Sequence, residues 1–345
     1  MTAGPGPSAP PAPMEARLVS ELPDEGSWQF EPKWDGFRCL ATCSGREIDL
    51  RSKSGKSLSR YFPEIVAALA LHRLRDTVLD GELVVPVGEG LSFGALQARL
   101  HPAASRIARL SAETPAQFIL FDCLVADGCP LSDQPLAERR RLLERIHGGL
   151  GGERLLLSPY SVDKGAALKW LERSGGALDG IIAKRRDDRY RPGERAMLKL
   201  KLRRTADCVV AGFRFATGSK LVGSLLLGLY DDDGLLDHVG FCSGLSGDAR
   251  ADLTSRLAPL IEPPGFTGKA PGGPSRWSTD RSADWQPLRP ELVVEILYDQ
   301  ITDNRFRHGT RLLRWRPDKA PQQCRFDQLQ RELRPSELGD LLAGS

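Results

Sequence analysis

No stretch of this chain approaches the roughly 18 apolar residues that a helix needs to cross a bilayer. The longest apolar run, Ser224–Tyr230, has the length of one buried strand. Apolar residues instead come in short runs broken by Gly, Asp and Pro, which calls for many short strands with a few helices packed on them. The 345 residues suffice for two such units, and 41% hydrophobic with 27% charged residues excludes wholesale disorder. Residues 1–13 form a Pro/Ala/Gly tract without Lys or Arg, expected to be a disordered tail and not a secretory signal.

Three strand-like runs open the folded part at Trp28–Glu31, Phe37–Cys43 and Glu47–Arg51. Helices are predicted at Glu64–Leu71 behind Pro63, at Leu136–His147 before Gly148-Gly149, and at Lys164–Arg173 before Gly175-Gly176. Further strands are predicted at Thr77–Val85, Gln117–Val125, Gly180–Lys184 and Ala196–Leu202. This is the pattern of an α+β domain over residues 14–203. Beyond it, strands at Cys208–Phe215, Ser224–Tyr230, Leu236–Cys242, Leu292–Tyr298 and Thr310–Trp315 accompany a helix at Asp248–Leu260. The turn Asp231-Asp232-Asp233-Gly234 marks a hairpin. Five strands and one helix over residues 204–330 fit an all-β OB-like barrel, with 331–345 left as a C-terminal tail.

The formal net charge is only +3, but charge is unevenly distributed. Between Lys184 and Arg214 eleven basic residues face four acidic ones, and between Asp303 and Lys319 six face two. Two basic clusters on a nearly neutral chain point to a polyanionic partner. Seven cysteines without a Cys-x-x-Cys pair argue against a disulfide framework or a four-Cys zinc site, and favour a reducing cytoplasm. The histidines at 72, 101, 147, 238 and 308 show no metal-ligand spacing.

The most reactive local pattern is Glu31-Pro32-Lys33-Trp34-Asp35-Gly36-Phe37-Arg38. Read alone, it is as compatible with a surface hairpin as with a nucleophilic lysine. A nucleophile must be neutral, so desolvation or nearby cations must depress its pKa, and Lys199 and Lys201 could supply that charge. Those two lysines share one face of a strand, an arrangement that costs energy unless an anion sits between them. Gly55-Lys56-Ser57 mimics the end of a P-loop, but Leu50 stands where its first glycine belongs.

Lys33-Trp34-Asp35-Gly36 resembles the K-x-D-G nucleophile motif of the covalent nucleotidyltransferases: DNA ligases, RNA ligases and mRNA capping enzymes. The rest of that family's motifs follow in order, in Ser52-Lys53-Ser54, Asp80-Gly81-Glu82-Leu83, Phe121-Asp122-Cys123-Leu124, Asp179-Gly180-Ile181-Ile182-Ala183-Lys184, Leu198-Lys199-Leu200-Lys201 and Arg316-Pro317-Asp318-Lys319. The text Arg191–Met197 and Ala206–Gly212 is most similar to the small bacterial LigC-type ATP-dependent DNA ligases. The resemblance implies a nucleotidyltransferase (adenylation) domain with antiparallel sheets, followed by an OB-fold domain.

It further implies that Lys33 attacks the α-phosphate of ATP and carries AMP. Glu31 would belong to the nucleotide site, Arg38 and Lys53 would contact the ribose and phosphate or the nick's 5′-phosphate, and Glu82 the ribose hydroxyls. Phe121 would stack on adenine. Asp179, with Glu82, would hold Mg2+ or Mn2+. Arg195, Lys199 and Lys201 would neutralise the α-phosphate, and Arg316, Asp318 and Lys319 would orient the leaving pyrophosphate. Lys53 stands where the family usually carries Arg, and Asp179 where it usually carries Glu. The implied activity is a monomeric, cytoplasmic, nucleoid-associated DNA ligase sealing nicked duplex DNA in repair, with Ku or a primase-polymerase as partners. The alternatives are an RNA ligase, a GTP-dependent capping enzyme, or a non-catalytic OB-fold nucleic-acid-binding module.

Overall fold

The computed structural model describes residues 10–24, 26–87, 90–173, 179–201, 204–245, 247–272, 284–299, 301–302, 304–307 and 309–329. Residues 1–9 of the expected tail over 1–13, the expected tail over 331–345, the Gly175-Gly176 stop and the boundary residue Arg203 lie outside them. Two compact units divide between residues 202 and 203.

The first unit runs β1 (Ala16–Val19), β2 (Trp28–Pro32), β3 (Phe37–Ser44), β4 (Glu47–Ser52), α1 (Pro63–His72), β5 (Thr77–Val84), the short ribbon β6 (Pro86–Val87) and β7 (Gly90–Leu91), α2 (Phe93–Ala98), α3 (Ala104–Glu113), β8 (Gln117–Ala126), β9 (Cys129–Pro130), α4 (Leu136–Gly148), β10 (Leu155–Leu157), α5 (Lys164–Arg173), β11 (Gly180–Arg185) and β12 (Met197–Lys201). One sheet has the order β1-β12-β11-β2 and a second the order β10-β8-β5-β3-β4, with β9 added on β8. Most pairs are antiparallel, as expected; β1 on β12 and β10 on β8 are parallel. Pro63 starts α1, where its fixed φ suits a helix and its missing N–H would have no partner anyway. Ile65 and Leu69, one turn apart on α1, drop into a core with Leu50, Phe62, Leu79, Phe118 and Leu143. Each such buried side chain contributes about 1.5–3 kcal/mol. Another cluster joins the two sheets through Phe30 and Ile181 on one and Val84 and Ile119 on the other, with Trp170 of α5.

The second unit runs β13 (Arg204–Phe215), β14 (Val222–Tyr230), β15 (Leu236–Cys242), α6 (Gly247–Leu257), β16 (Gln286–Tyr298), the ribbon β17 (Ile301–Thr302) and β18 (Arg305–Phe306), and β19 (Arg311–Trp315). The sheet order is β15-β14-β13-β16-β19. A parallel bridge between Cys242 and Thr310 ties the end of β15 to the start of β19, closing the sheet into a five-stranded barrel. Register shifts at Val210/Gly212 and Leu227/Gly228 supply the local bends that closure needs. With α6 between the third and fourth barrel strands, this is the OB topology. No helix among the described residues is long and apolar enough to cross a membrane. All seven cysteines are free, and six are buried.

His238 lies inside the barrel wall of this unit, 5% exposed, with the Arg305 guanidinium 3.1 Å from Nδ1. Burial, followed by the charges of Arg305 and Arg214, pushes its imidazole down to about 3. The unfolded chain, with His near 6.5, therefore takes up this proton first as pH falls. Stability from this site is complete above about pH 6.5 and declines by about 1.4 kcal/mol per pH unit towards pH 3. In urea unfolding of the full chain between pH 7 and pH 5, wild type is expected to lose stability by that slope relative to His238→Gln, the raised Glu82 carboxyl adding an opposite slope common to both proteins; equal slopes in both proteins would contradict the assignment.

Candidate active site

Lys33 sits in the turn between β2 and β3, which ties the two sheets together. Its amide donates to Gly180 O at 2.9 Å. Two glycines leave the room this requires. A Cβ on Gly36 would lie 2.1 Å from Leu83 O, and one on Gly180, whose φ is +154°, would lie 2.1 Å from Leu200 O. Trp34 anchors the turn through Nε1, which donates to Ser158 Oγ at 3.0 Å.

The sheets deliver the remaining groups by simple register. Glu31, Ile182 and Lys199 form one cross-strand row on β2, β11 and β12. Opposite them, Arg38 faces Glu82 across β3 and β5, and Phe121 lies on the neighbouring β8. The result is a cavity of about 270 Å³ walled by Glu31, Lys33, Arg38, Lys53, Glu82, Phe121, Lys184 and Lys199, with Pro13–Ala16 along one side. Seven expected nucleotide-site residues thus meet in one cavity. Asp179 joins them through its carboxylate, which contacts Lys33 Nζ. Arg195 does not line the cavity, but its Nε lies 3.7 Å from Oε2 of Glu15, which does, and Lys201 lies two residues beyond Lys199 on β12. Pro13, expected at the end of a disordered tail, is buried and forms part of the wall.

Arg316, Asp318 and Lys319 belong to the second unit and form a cluster there. Arg316 Nη1 donates to both carboxylate oxygens of Asp207 at 3.0 and 3.1 Å, and Lys319 Nζ to Asp207 Oδ2 at 2.8 Å. Arg316 also pairs with Asp318 at 2.8 Å, which holds the Asp318 carboxyl down at about 2.

The expectation that Lys33 would have a depressed pKa is not met. Burial does disfavour its charge, but Asp179 in direct contact, with Asp35 and Glu82 nearby, outweighs burial and holds the ammonium above the usual lysine range. Lys199, by contrast, is lowered by burial and by the cations Lys33, Lys201, Lys53 and Arg195. Burial pushes the Glu82 carboxyl up to about 7 against the pull of Arg38 and Lys33.

Several partners were not assigned roles from sequence. Asp80 accepts both arms of Arg38 at 2.5 and 2.6 Å and a hydrogen bond from the Tyr190 hydroxyl at 2.9 Å. The Tyr190 hydroxyl in turn accepts from the Met14 amide at 2.8 Å. Lys184 pairs with Glu31 at 2.8 Å and lies 4.3 Å from the Phe121 ring centroid, while Arg38 lies 4.5 Å from that centroid. Asp80 and Lys184 stand inside the motif strings, so the sequence carried a signal for both. Tyr190 and Glu15 had none, since both contacts are made over long sequence separations.

Asp179 also bears on metal binding. Its Oδ1 is buried without a hydrogen-bond partner, as a hard-oxygen ligand would be. No group of three or more His, Cys, Asp and Glu is placed to hold a metal among the described residues. That buried, unpartnered oxygen of Asp179 fits a cation such as Mg2+, which takes one or two carboxylates and fills its shell with phosphate oxygens and water.

The family profile described as ATP dependent DNA ligase domain matches residues 13–201. The profile described as ATP dependent DNA ligase C terminal region matches residues 218–319. The chain belongs to the ATP-dependent DNA ligases. It is 44% identical to DNA ligase C1 of Mycolicibacterium smegmatis over 336 residues, spanning 94% of this chain and 95% of that protein. It is 40% identical over 352 residues to DNA ligase C of Mycobacterium tuberculosis, spanning 97% and 98%. Over 305 residues it is 33% identical to the multifunctional non-homologous end joining DNA repair protein LigD of Mycobacterium tuberculosis, covering 85% of this ligase but 37% of that larger protein. The expected class of enzyme, an ATP-dependent DNA ligase, thus stands.

Proposed function

We propose that this ligase seals 5′-phosphate/3′-hydroxyl nicks in duplex DNA through an AMP carried on Lys33. The observation that supports the reading most is the convergence of Lys33, Glu82, Phe121 and Lys199 on one cavity. In the first step Lys33 Nζ gives a proton to water and bonds the α-phosphorus of ATP as the bond to pyrophosphate breaks. AMP then passes from Nζ to the 5′-phosphate of the nick, and the 3′-hydroxyl attacks that phosphate with loss of AMP.

Within this scheme Glu82 accepts hydrogen bonds from the ribose hydroxyls, and Arg38, held by Asp80, reaches ribose and phosphate. Glu31 fixes Lys184 beside Phe121. Phe121 offers its ring to the adenine, with Arg38 and Lys184 placed 4.5 and 4.3 Å from the ring centroid. Lys53, Arg195, Lys199 and Lys201 offset the charge that builds at the phosphates. Arg316, Asp318 and Lys319 engage the pyrophosphate. Asp179, assisted by Glu82, would hold Mg2+ or Mn2+, which supplies positive charge to the phosphate oxygens. A role in the nucleoid alongside Ku or a primase-polymerase draws support from the likeness to the end-joining protein.

The test is incubation with α-labelled ATP and a divalent metal, without DNA, followed by peptide mapping. Label on Lys33 that chases onto nicked DNA is expected. Absence of label, or label on another residue, would refute the reading; a GTP-only adduct would favour a capping-type enzyme. Phe121→Ala is expected to weaken ATP binding by about 1–3 kcal/mol, the worth of one stacked base, seen as a raised KM in the adduct assay. An unchanged KM would remove Phe121 from the nucleotide site.

A further inference from the structure

One carboxylate stands among the phosphate-binding cations without a place in the scheme above. Glu15 precedes β1, and its backbone is clamped on both sides: its amide donates to Glu194 O at 2.7 Å, and its carbonyl accepts from Met197 N at 3.0 Å. From Ala16 onward the chain pairs with β12. Only the side chain is therefore free to swing. Its Oε1 lies 2.9 Å from Lys53 Nζ, and its Oε2 lies 3.7 Å from Arg195 Nε. Glu15, Lys53 and Lys199 line the same cavity as Lys33.

The electrostatics agree with this placement. Lys53 foremost, then Arg195 and Lys199, hold the Glu15 carboxyl below its usual range. The cations are still in surplus, since Lys53, Arg195 and Lys201 help to lower Lys199. Lys53 is 58% exposed and Arg195 75%, so neither pair is sealed from water, and each is of the weak, exchangeable kind.

We propose that Glu15 is a resident anion that occupies an oxyanion position between Lys53 and Arg195, in the cavity that Lys199 also lines, and that the phosphates of the incoming nucleotide must displace it. The proposal rests on the nucleotide-site reading above. Glu15 then competes with ATP for its own cations and takes them back as pyrophosphate departs. The side chain acts as a built-in competitor that weakens nucleotide binding and assists release of the leaving group.

The experiment measures lysyl-AMP formation in the full chain against ATP concentration, with inorganic pyrophosphate as a competing probe, in wild type, Glu15→Gln and Glu15→Asp. Glu15→Gln is expected to lower both the KM for ATP and the inhibition constant for pyrophosphate by about two- to fivefold, the size of a half-exposed ion pair. The rate at saturating ATP should change less than KM, and 0.5 M NaCl should shrink the difference. Glu15→Asp, which keeps the charge, should stay near wild type. A raised or unchanged KM in Glu15→Gln, with an unaltered thermal midpoint, would overturn the proposal. So would tighter binding confined to the 5′-phosphate of nicked DNA. If wild type itself forms no adduct, the nucleotide-site reading fails as well.

Discussion

Lys33→Ala is expected to lose lysyl-AMP formation by a factor on the order of a thousand or more, as enzymes do when a covalent nucleophile is removed. Lys33→Arg should fare no better, because a guanidinium holds its proton at any working pH and cannot present a lone pair. The loss should be confined to the steps that use the lysine. A nick supplied with AMP already on its 5′-phosphate needs no attack by Nζ, so both variants should still seal it in the presence of metal. Gel assays of labelled ATP and of pre-adenylated DNA separate the two. Adduct formation within tenfold of wild type in Lys33→Ala would remove Lys33 as the nucleophile.

Asp122→Ala should have the largest effect on stability. The Arg139 side chain is fully buried, and its Nε and Nη2 donate to Asp122 at 2.8 and 2.9 Å. Asp122 Oδ1 also accepts the Cys123 amide at 2.9 Å. Removing the carboxylate strands a cation in the interior, which costs about 3–5 kcal/mol. For a unit of this size that corresponds to a fall in Tm of about 6–20 °C. The doubly apolar variant Asp122→Leu with Arg139→Met should recover much of the loss, because the penalty comes from the unpaired charge and not from absence of the pair. Thermal unfolding of the three proteins decides the matter, and a shift below about 2 °C for Asp122→Ala would show that water reaches Arg139.

The strands and helices with strong periodicity were legible in the sequence. Leu236–Cys242 and Lys164–Arg173 match their expected bounds, and most others agree within a few residues. What escaped was short or set by distant partners. β1 carries an exposed Arg17 and Leu18 and exists because β12 offers it a parallel edge. α2 begins at the Ser92 cap, whose hydroxyl accepts from Ala95 N, a signal too brief to rise above its surroundings. Among site residues, ordered motifs located the cavity wall. Spacing could not reveal that Asp179 would meet Lys33 and reverse the expected direction of its pKa, since 146 positions separate them and only the β2–β11 pairing brings them together.

Four cations lining the proposed nucleotide cavity, Lys33, Arg38, Lys53 and Lys184, each pair with a carboxylate of the chain: Asp179, Asp80, Glu15 and Glu31. The cavity therefore behaves as an ion exchanger already loaded with its own counter-ions. Chloride can trade only for the partly exposed Glu15 and gains little, whereas a triphosphate reaches several of the cations at once and keeps the advantage of being a single tethered molecule. Nucleotide loading should consequently tolerate salt far better than attachment to DNA, where each phosphate contact releases counter-ions to bulk and affinity falls steeply with ionic strength. A cell that raises its internal salt would then hold this enzyme charged with AMP but detached from its substrate.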